Sequence, residues 1–249
     1  MKKILYCMIV FSFLIIPFSA QSYTINDTET AAYWGGQVVN AGSTAYGDVI
    51  GSPYFTVDQM DVTRSGKDWT ITLSGPYFQY HQNSSIDGGL PYNYGPGDLY
   101  INSKGWNATQ DASGHHSTDV FSNSEGWDYV VTQSPTGGGW GLYTLDYSKI
   151  TYTTAPSNYI YRSGQAWQGG ADDYMGAATY SYDTVNNTLT FSFNTGNLNW
   201  TGPVGFHWDM KCGNDVVEGQ VPAVPEPGTM LLLGLGLVGL AGARRKFRS

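Results

Sequence analysis

Four histidines, two cysteines and twenty acidic side chains are the groups with which this 249-residue chain would have to do covalent, metal or acid–base chemistry. Nucleophilic catalysis has little to build on. No Gly-x-Ser-x-Gly elbow occurs, and Cys212 shares an apolar strand face with Phe206, Trp208 and Met210, the setting of a small core residue. Gly114-His115-His116-Ser117-Thr118-Asp119 offers two imidazoles and a carboxylate. Neighbours on an extended strand point to opposite faces, so both rings reach one ion only from a loop. Calcium suits the chain better, because it takes carboxylate and carbonyl oxygens in loops. Gly47-Asp48-Val49-Ile50-Gly51 and Gly213-Asn214-Asp215-Val216-Val217-Glu218-Gly219 echo each other near the two ends of the body. Terminal strands lying side by side would bring Asp48, Asp215 and Glu218 to one calcium ion; the competing reading is ordinary strand-end turns. Asp172-Asp173, Asp58 with Asp61 and Glu125 with Asp128 are local carboxylate pairs. A glycosidase needs two carboxylates facing each other across a cleft, and sequence neighbours seldom do so. No enzyme is therefore expected, with a polysaccharide-active hydrolase as the remote alternative.

Aromatic side chains carry the remaining signal. Trp106, in Lys104-Gly105-Trp106-Asn107, and Trp167, in Gln165-Ala166-Trp167-Gln168-Gly169-Gly170, stand among polar and glycine residues. An indole in such company can cover the apolar face of a sugar ring, or equally plug the end of a β domain. They are the candidate sugar-stacking residues, and a carbohydrate-binding module, calcium-stabilised, is the alternative reading of the body.

The elements that must position these groups read as strands. Trp69-Thr70-Ile71-Thr72-Leu73-Ser74, Thr188 to Phe193 and Phe206 to Cys212 alternate apolar with polar residues, the period of a half-buried strand. Phe55 to Val62, Asp98 to Asn102, Trp127 to Thr132, Trp140 to Asp146, Asn158 to Arg162 and Ala177 to Tyr182 are further candidates, and no long stretch of the body keeps a helical apolar period. Asp183-Thr184-Val185-Asn186-Asn187 and Ser65-Gly66-Lys67-Asp68 have the residues of tight hairpin turns. So many one-sided strands predict an all-β fold, a single antiparallel β-sandwich (jelly-roll-like) preferred over a barrel. Composition agrees. Charged residues make up 13% against about 25% in ordinary domains, aromatics 15%, with 32 glycines. That leaves too few charges to clothe a helical bundle.

The two ends differ from the body. Lys2 and Lys3 precede an apolar run from Ile4 to Phe18, and small residues follow at Ser19, Ala20 and Ser22. Residues 1–22 thus read as a secretory signal peptide, with cleavage after Ser22 preferred to cleavage after Ala20 and an uncleaved anchor as the alternative. Residues 23–221 form the domain. Residues 222–249 open with Pro225-Glu226-Pro227 and continue through an uncharged run expected to be helical over about 228–243. The basic tail 244–248 then brings Arg244, Arg245 and Lys246. About 16 helical residues rise ~24 Å, short of the ~30 Å hydrocarbon core, a gap that snorkelling and local thinning can close. Gly234-Leu235-Gly236-Leu237-Val238-Gly239 matches a dinucleotide fingerprint in spacing only, for no strand, crossover or acidic residue follows.

Pro-Glu-Pro, a short apolar helix and a terminal basic cluster, in that order, resemble the PEP-CTERM sorting signal of Gram-negative surface proteins. The resemblance implies an exosortase-type membrane protease as partner and transient passage through the inner membrane. It further implies cleavage near Pro225-Glu226-Pro227 and delivery to the cell surface or exopolysaccharide matrix. An ordinary tail anchor is the alternative. In Tyr33-Trp34-Gly35-Gly36, Asp48-Val49-Ile50-Gly51 and Gly97-Asp98-Leu99-Tyr100 the body loosely resembles DOMON or sugar-binding-module sandwiches, which assigns no residue. Without its ends the chain keeps 19 acidic and six basic side chains, a formal charge of −13. Such a body repels nucleic acid. Loss of Cys7 with the signal peptide would leave Cys212 without an intramolecular disulfide partner.

Overall fold

The computed structural model describes residues 20–27, 37–38, 56–80, 96–106, 126–134, 138–145, 151–152, 162–163, 166–168, 171–210, 216–223, 234–240 and 244. Their strands are β1 (Gln21–Asn26), β2 (Gln37–Val38), β3 (Gln59–Ser65), β4 (Asp68–Ser74), β5 (Pro96–Asn102), β6 (Tyr129–Gln133) and β7 (Trp140–Leu145). After them come β8 (Thr151–Tyr152), β9 (Arg162–Ser163), β10 (Ala166–Gln168), β11 (Ala171–Asp183), β12 (Thr188–Asn194), β13 (Val204–Met210) and β14 (Val216–Val221). One helical turn, α1 (Tyr77–Tyr80), interrupts them. The body is all-β and antiparallel, as its alternation requires.

Ten strands form one sheet in the order β1-β3-β4-β12-β11-β7-β6-β5-β13-β14. The sheet curls until its first and last strands meet: a Cβ on Gly219 of β14 would lie 2.7 Å from the Ile25 side chain of β1. The result is a nearly closed, sandwich-like sheet around one core. β8–β10 and β2–β9 make two small separate pairs. β1 begins at Gln21, with Gln21 and Ser22 opposite Arg64 and Thr63. Cleavage after Ala20 would leave this strand whole; cleavage after Ser22 would trim it.

The expected turns are in place. Gly66 closes the β3–β4 hairpin at φ +62° and Asn187 ends the β11–β12 turn at φ +54°, a left-handed geometry that glycine and asparagine adopt at least cost. Asp183 locks the latter turn by accepting bonds from the Val185 and Asn186 amides (2.9 and 3.1 Å) and from Asn186 Nδ2 (2.7 Å). The Asn186 side chain and backbone hold the Asp183 carboxyl below the ordinary aspartate value. A carboxyl depressed by folding stabilises the native state above its unfolded pKa, and that contribution fades as pH falls through the folded value. An NMR titration should therefore place Asp183 below the ordinary aspartate value, and Asn186→Ala should raise it only part of the way back, since the Val185 and residue-186 amides still donate.

Inward side chains build one core. Val62, Trp69, Ile71, Leu73, Leu99, Val131, Leu142, Leu189, Phe191, Phe206 and Trp208 are all buried in it. Trp69 is its aromatic hub, stacked on Phe193 (centroids 6.5 Å apart) and tilted against Trp200 and Phe206 (5.7 Å each). The Arg64 guanidinium lies 4.8 Å from the Trp69 ring centroid, closing one rim with a cation–π contact. At the other rim Tyr77 and Phe78 of α1 pack on Trp208. Gly75 permits this return, since a Cβ there would lie 2.6 Å from the Val57 Cα.

At the C-terminus helix covers residues 234–240, where Leu235, Leu237, Val238 and Leu240 are exposed. No helix among the described residues is long and apolar enough to cross a membrane.

Candidate functional site

A period-two strand in a one-layer shell shows its second face to water. Half of this sheet does not. On β5, β6, β7 and β13 the outward positions are filled by Tyr100, Val130, Tyr143 and His207, all buried. Tyr100, Val130 and Tyr143 join Trp127 in a second cluster, with Trp106 and Leu145 packed on it. This covered outer face is where the polar groups gather.

His207 on β13 faces Glu218 on β14 in register, and its Nδ1 meets the Glu218 carboxylate. Trp127 and Tyr100 hold the imidazole from two sides, at centroid distances of 5.5 and 5.7 Å. Beside the pair, Asp128 accepts bonds from the Ser103 amide (2.9 Å) and hydroxyl (2.6 Å), while Asn102 Oδ1 accepts from the Lys104 amide (2.9 Å). Together they tie the turn after β5, which Gly105 passes at φ +101°.

That turn delivers Trp106, whose amide donates to Gln220 Oε1 (3.2 Å). Its backbone rests on Gly205, where a Cβ would clash at 2.9 Å. Trp106 is thus half-buried and anchored against the second cluster. Trp167 belongs to β10, which pairs with β8 and passes close to β5. β6 pairs with β5 only over Leu99–Ile101, β13 runs along its other edge, and β10 lies close to β5 as a member of a separate small pair.

The calcium trio is not assembled by the described residues. The first and last strands do lie side by side, but the first is Gln21–Asn26; Asp48 and Asp215 fall outside the described residues, as do His115 and His116. Glu218, the described member, is engaged by His207. Among the described residues no group of three or more metal-ligating side chains occurs. Removing the carboxylate leaves the buried imidazole one hydrogen bond short, at about 2 kcal/mol. Glu218→Ala should therefore lower stability by roughly that amount in urea melts, with EDTA leaving the wild-type melting temperature unchanged. A calcium ligand would show the reverse sensitivity to EDTA.

The alternation from Phe206 to Cys212 puts His207 on the polar face of its strand and does not reveal the second cluster that covers it. Its signal was present in Tyr129-Val130-Val131, where apolar residues occupy both phases of one strand, as in strands buried on two faces.

Residues 223–246 match the PEP-CTERM protein-sorting motif. The chain thus carries the sorting signal expected from Pro225, Glu226, Pro227, Arg244, Arg245 and Lys246, which marks it for export to the cell surface with an exosortase-type processing partner. Of that segment the structure describes Ala223, residues 234–240 and Arg244; Pro225, Glu226, Pro227, Arg245 and Lys246 lie outside the described residues. Searches of curated proteins and of solved structures gave no significant match, and the DOMON-type resemblance of the body gains no support from them.

Proposed function

We propose that the chain is a non-catalytic component of the surface or exopolysaccharide matrix of a Gram-negative bacterium, whose β body holds polysaccharide. The single observation that carries the reading is the sorting motif directly behind the last strand: β14 ends at Val221 and the motif begins at residue 223. Its non-catalytic character is supported by what five of the described carboxylates do. Asp61 is engaged by Thr24 (2.5 Å) and Gln59 (2.9 Å), Asp68 by Asn194 (2.5 Å), Asp128 by Ser103, Asp183 by its turn and Glu218 by His207. Carboxylates used in this way serve strand pairing and turns. Polysaccharide as the ligand is supported by the nearness of both Trp106 and the strand carrying Trp167 to β5, and by a body too acidic for nucleic acid.

Intact-mass analysis of protein recovered from the native cell's surface fraction tests the reading. The expected mass lacks the first 20–22 residues and the tail beyond Pro225-Glu226-Pro227. Full-length chain in the cytosolic fraction would overturn it.

A further inference from the structure

We infer that the open half of the outer face, around Tyr174 on β11, is a binding site for a neutral polysaccharide chain, with Tyr174 as its stacking platform. The inference rests on the polysaccharide reading above but concerns the open part of the outer face, which adjoins through Tyr143 the cluster on which Trp106 packs.

Tyr174 is 60% exposed, the most exposed aromatic ring among the described residues. A bulge puts it there. Tyr174 stands opposite Tyr143 and Gly176 opposite Leu142, so Met175 is the extra residue, itself 40% exposed. The ring is held although it is exposed: Tyr143 meets it edge-on at 5.4 Å, and one ring edge rests where Gly141 has no side chain, 2.9 Å from the position a Cβ would take. An aromatic ring fixed before binding loses little freedom when a sugar stacks on it.

Beside the ring lies a floor of small residues, Gly141 opposite Ala177. Beyond it run two lanes of hydroxyls. Thr179, Ser192, Thr70, Thr63 and Ser22 stand in register across five strands. Ser181, Thr190, Thr72, Asp61 and Thr24 form the parallel lane. Adjacent members are ~4.8 Å apart by strand spacing, comparable to the advance of one pyranose in an extended chain. Thr72 and Thr190 (3.2 Å) and Thr70 and Ser192 (3.4 Å) pair their hydroxyls, and either member of each pair can donate. Such pairs can turn to meet a sugar hydroxyl as donor or acceptor. The lanes hold no lysine, arginine or glutamate, and their one carboxylate, Asp61, is engaged by Thr24 and Gln59. A polyanion finds no cation here; a neutral polyhydroxyl chain finds a matching surface.

The test is affinity electrophoresis of the purified exported protein in gels containing hydroxyethyl cellulose, galactomannan or alginate. Expected are retardation by a neutral polymer, weakening of about tenfold (~1.4 kcal/mol) in Tyr174→Ala, near-wild-type binding in Tyr174→Phe, and a smaller loss in Thr190→Val. Unchanged near-UV circular dichroism would show that the variants are folded. Equal retardation of wild type and Tyr174→Ala overturns this site while leaving polysaccharide binding standing. Retardation by alginate alone overturns the neutral ligand. No retardation by any polymer overturns the site and the polysaccharide reading together.

Discussion

Trp69→Ala is expected to destabilise the body by about 4 kcal/mol, within the range for truncating a buried tryptophan. Trp69 is 1% exposed and touches Phe193, Trp200 and Phe206 from three strands or connections, with Arg64 above it. Truncation removes the one ring that links β4 to β12 and β13 across the interior, leaving a cavity that none of its rigid neighbours can fill. For a body of some 200 residues this corresponds to a fall in melting temperature of about 8–16 °C. Trp69→Phe should cost much less. The indole Nε1–H is buried with no acceptor among the described residues, so phenylalanine discards an unsatisfied donor while keeping most of the apolar contact. Thermal melts of the two variants check the contrast. A fall below about 3 °C for Trp69→Ala would mean that the inner cluster does not fold as one core.

The second large effect is expected in the tail. Replacing Arg244, Arg245 and Lys246 with serine should collapse the processed surface fraction and leave unprocessed chain elsewhere. The argument is electrostatic. A short apolar helix gains little hold on a bilayer from its length, and each basic residue near an anionic cytoplasmic leaflet adds about 1 kcal/mol. Three such residues supply ~3 kcal/mol, about two orders of magnitude in retention. Immunoblots of surface, membrane and medium fractions read the outcome; wild-type distribution of the triple variant would remove the basic cluster from the signal. Lysine at all three positions should sort normally, since charge and not guanidinium geometry is what the bilayer senses.

Much of the architecture was legible because one-sided burial writes itself into a strand. Trp69, Ile71 and Leu73 against Thr70, Thr72 and Ser74 admit only one pairing face, and Asp183 to Asn187 spells its turn in residues that tolerate left-handed backbone. What was illegible depends on register between distant strands. That one sheet curls round to join β1 with β14 follows from pairings such as Gly205 with Asn102 and Thr190 with Thr72, which no local pattern encodes. Glu218 read as a calcium ligand because its own segment is acidic and glycine-flanked; its partner His207 sits eleven residues earlier, and only the β13–β14 register makes them meet. Tyr174 was hidden for a similar reason, since a bulge moves it to the outer face against the simple alternation of β11. The sorting signal, by contrast, is linear, and its order of parts was readable without any fold.

The antiparallel seam between β1 and β14 has a mechanical consequence. With ten strands alternating in direction, the first and last run oppositely, so Gln21 and Val221 leave by the same rim. Any leader before Gln21 and the leash after Val221 therefore pull on the barrel from one point, and the pull is shared by neighbouring strands instead of being applied across the core. The opposite rim, which carries α1 and the Asp183–Asn187 turn, is the one that neither end of the sheet's chain leaves by.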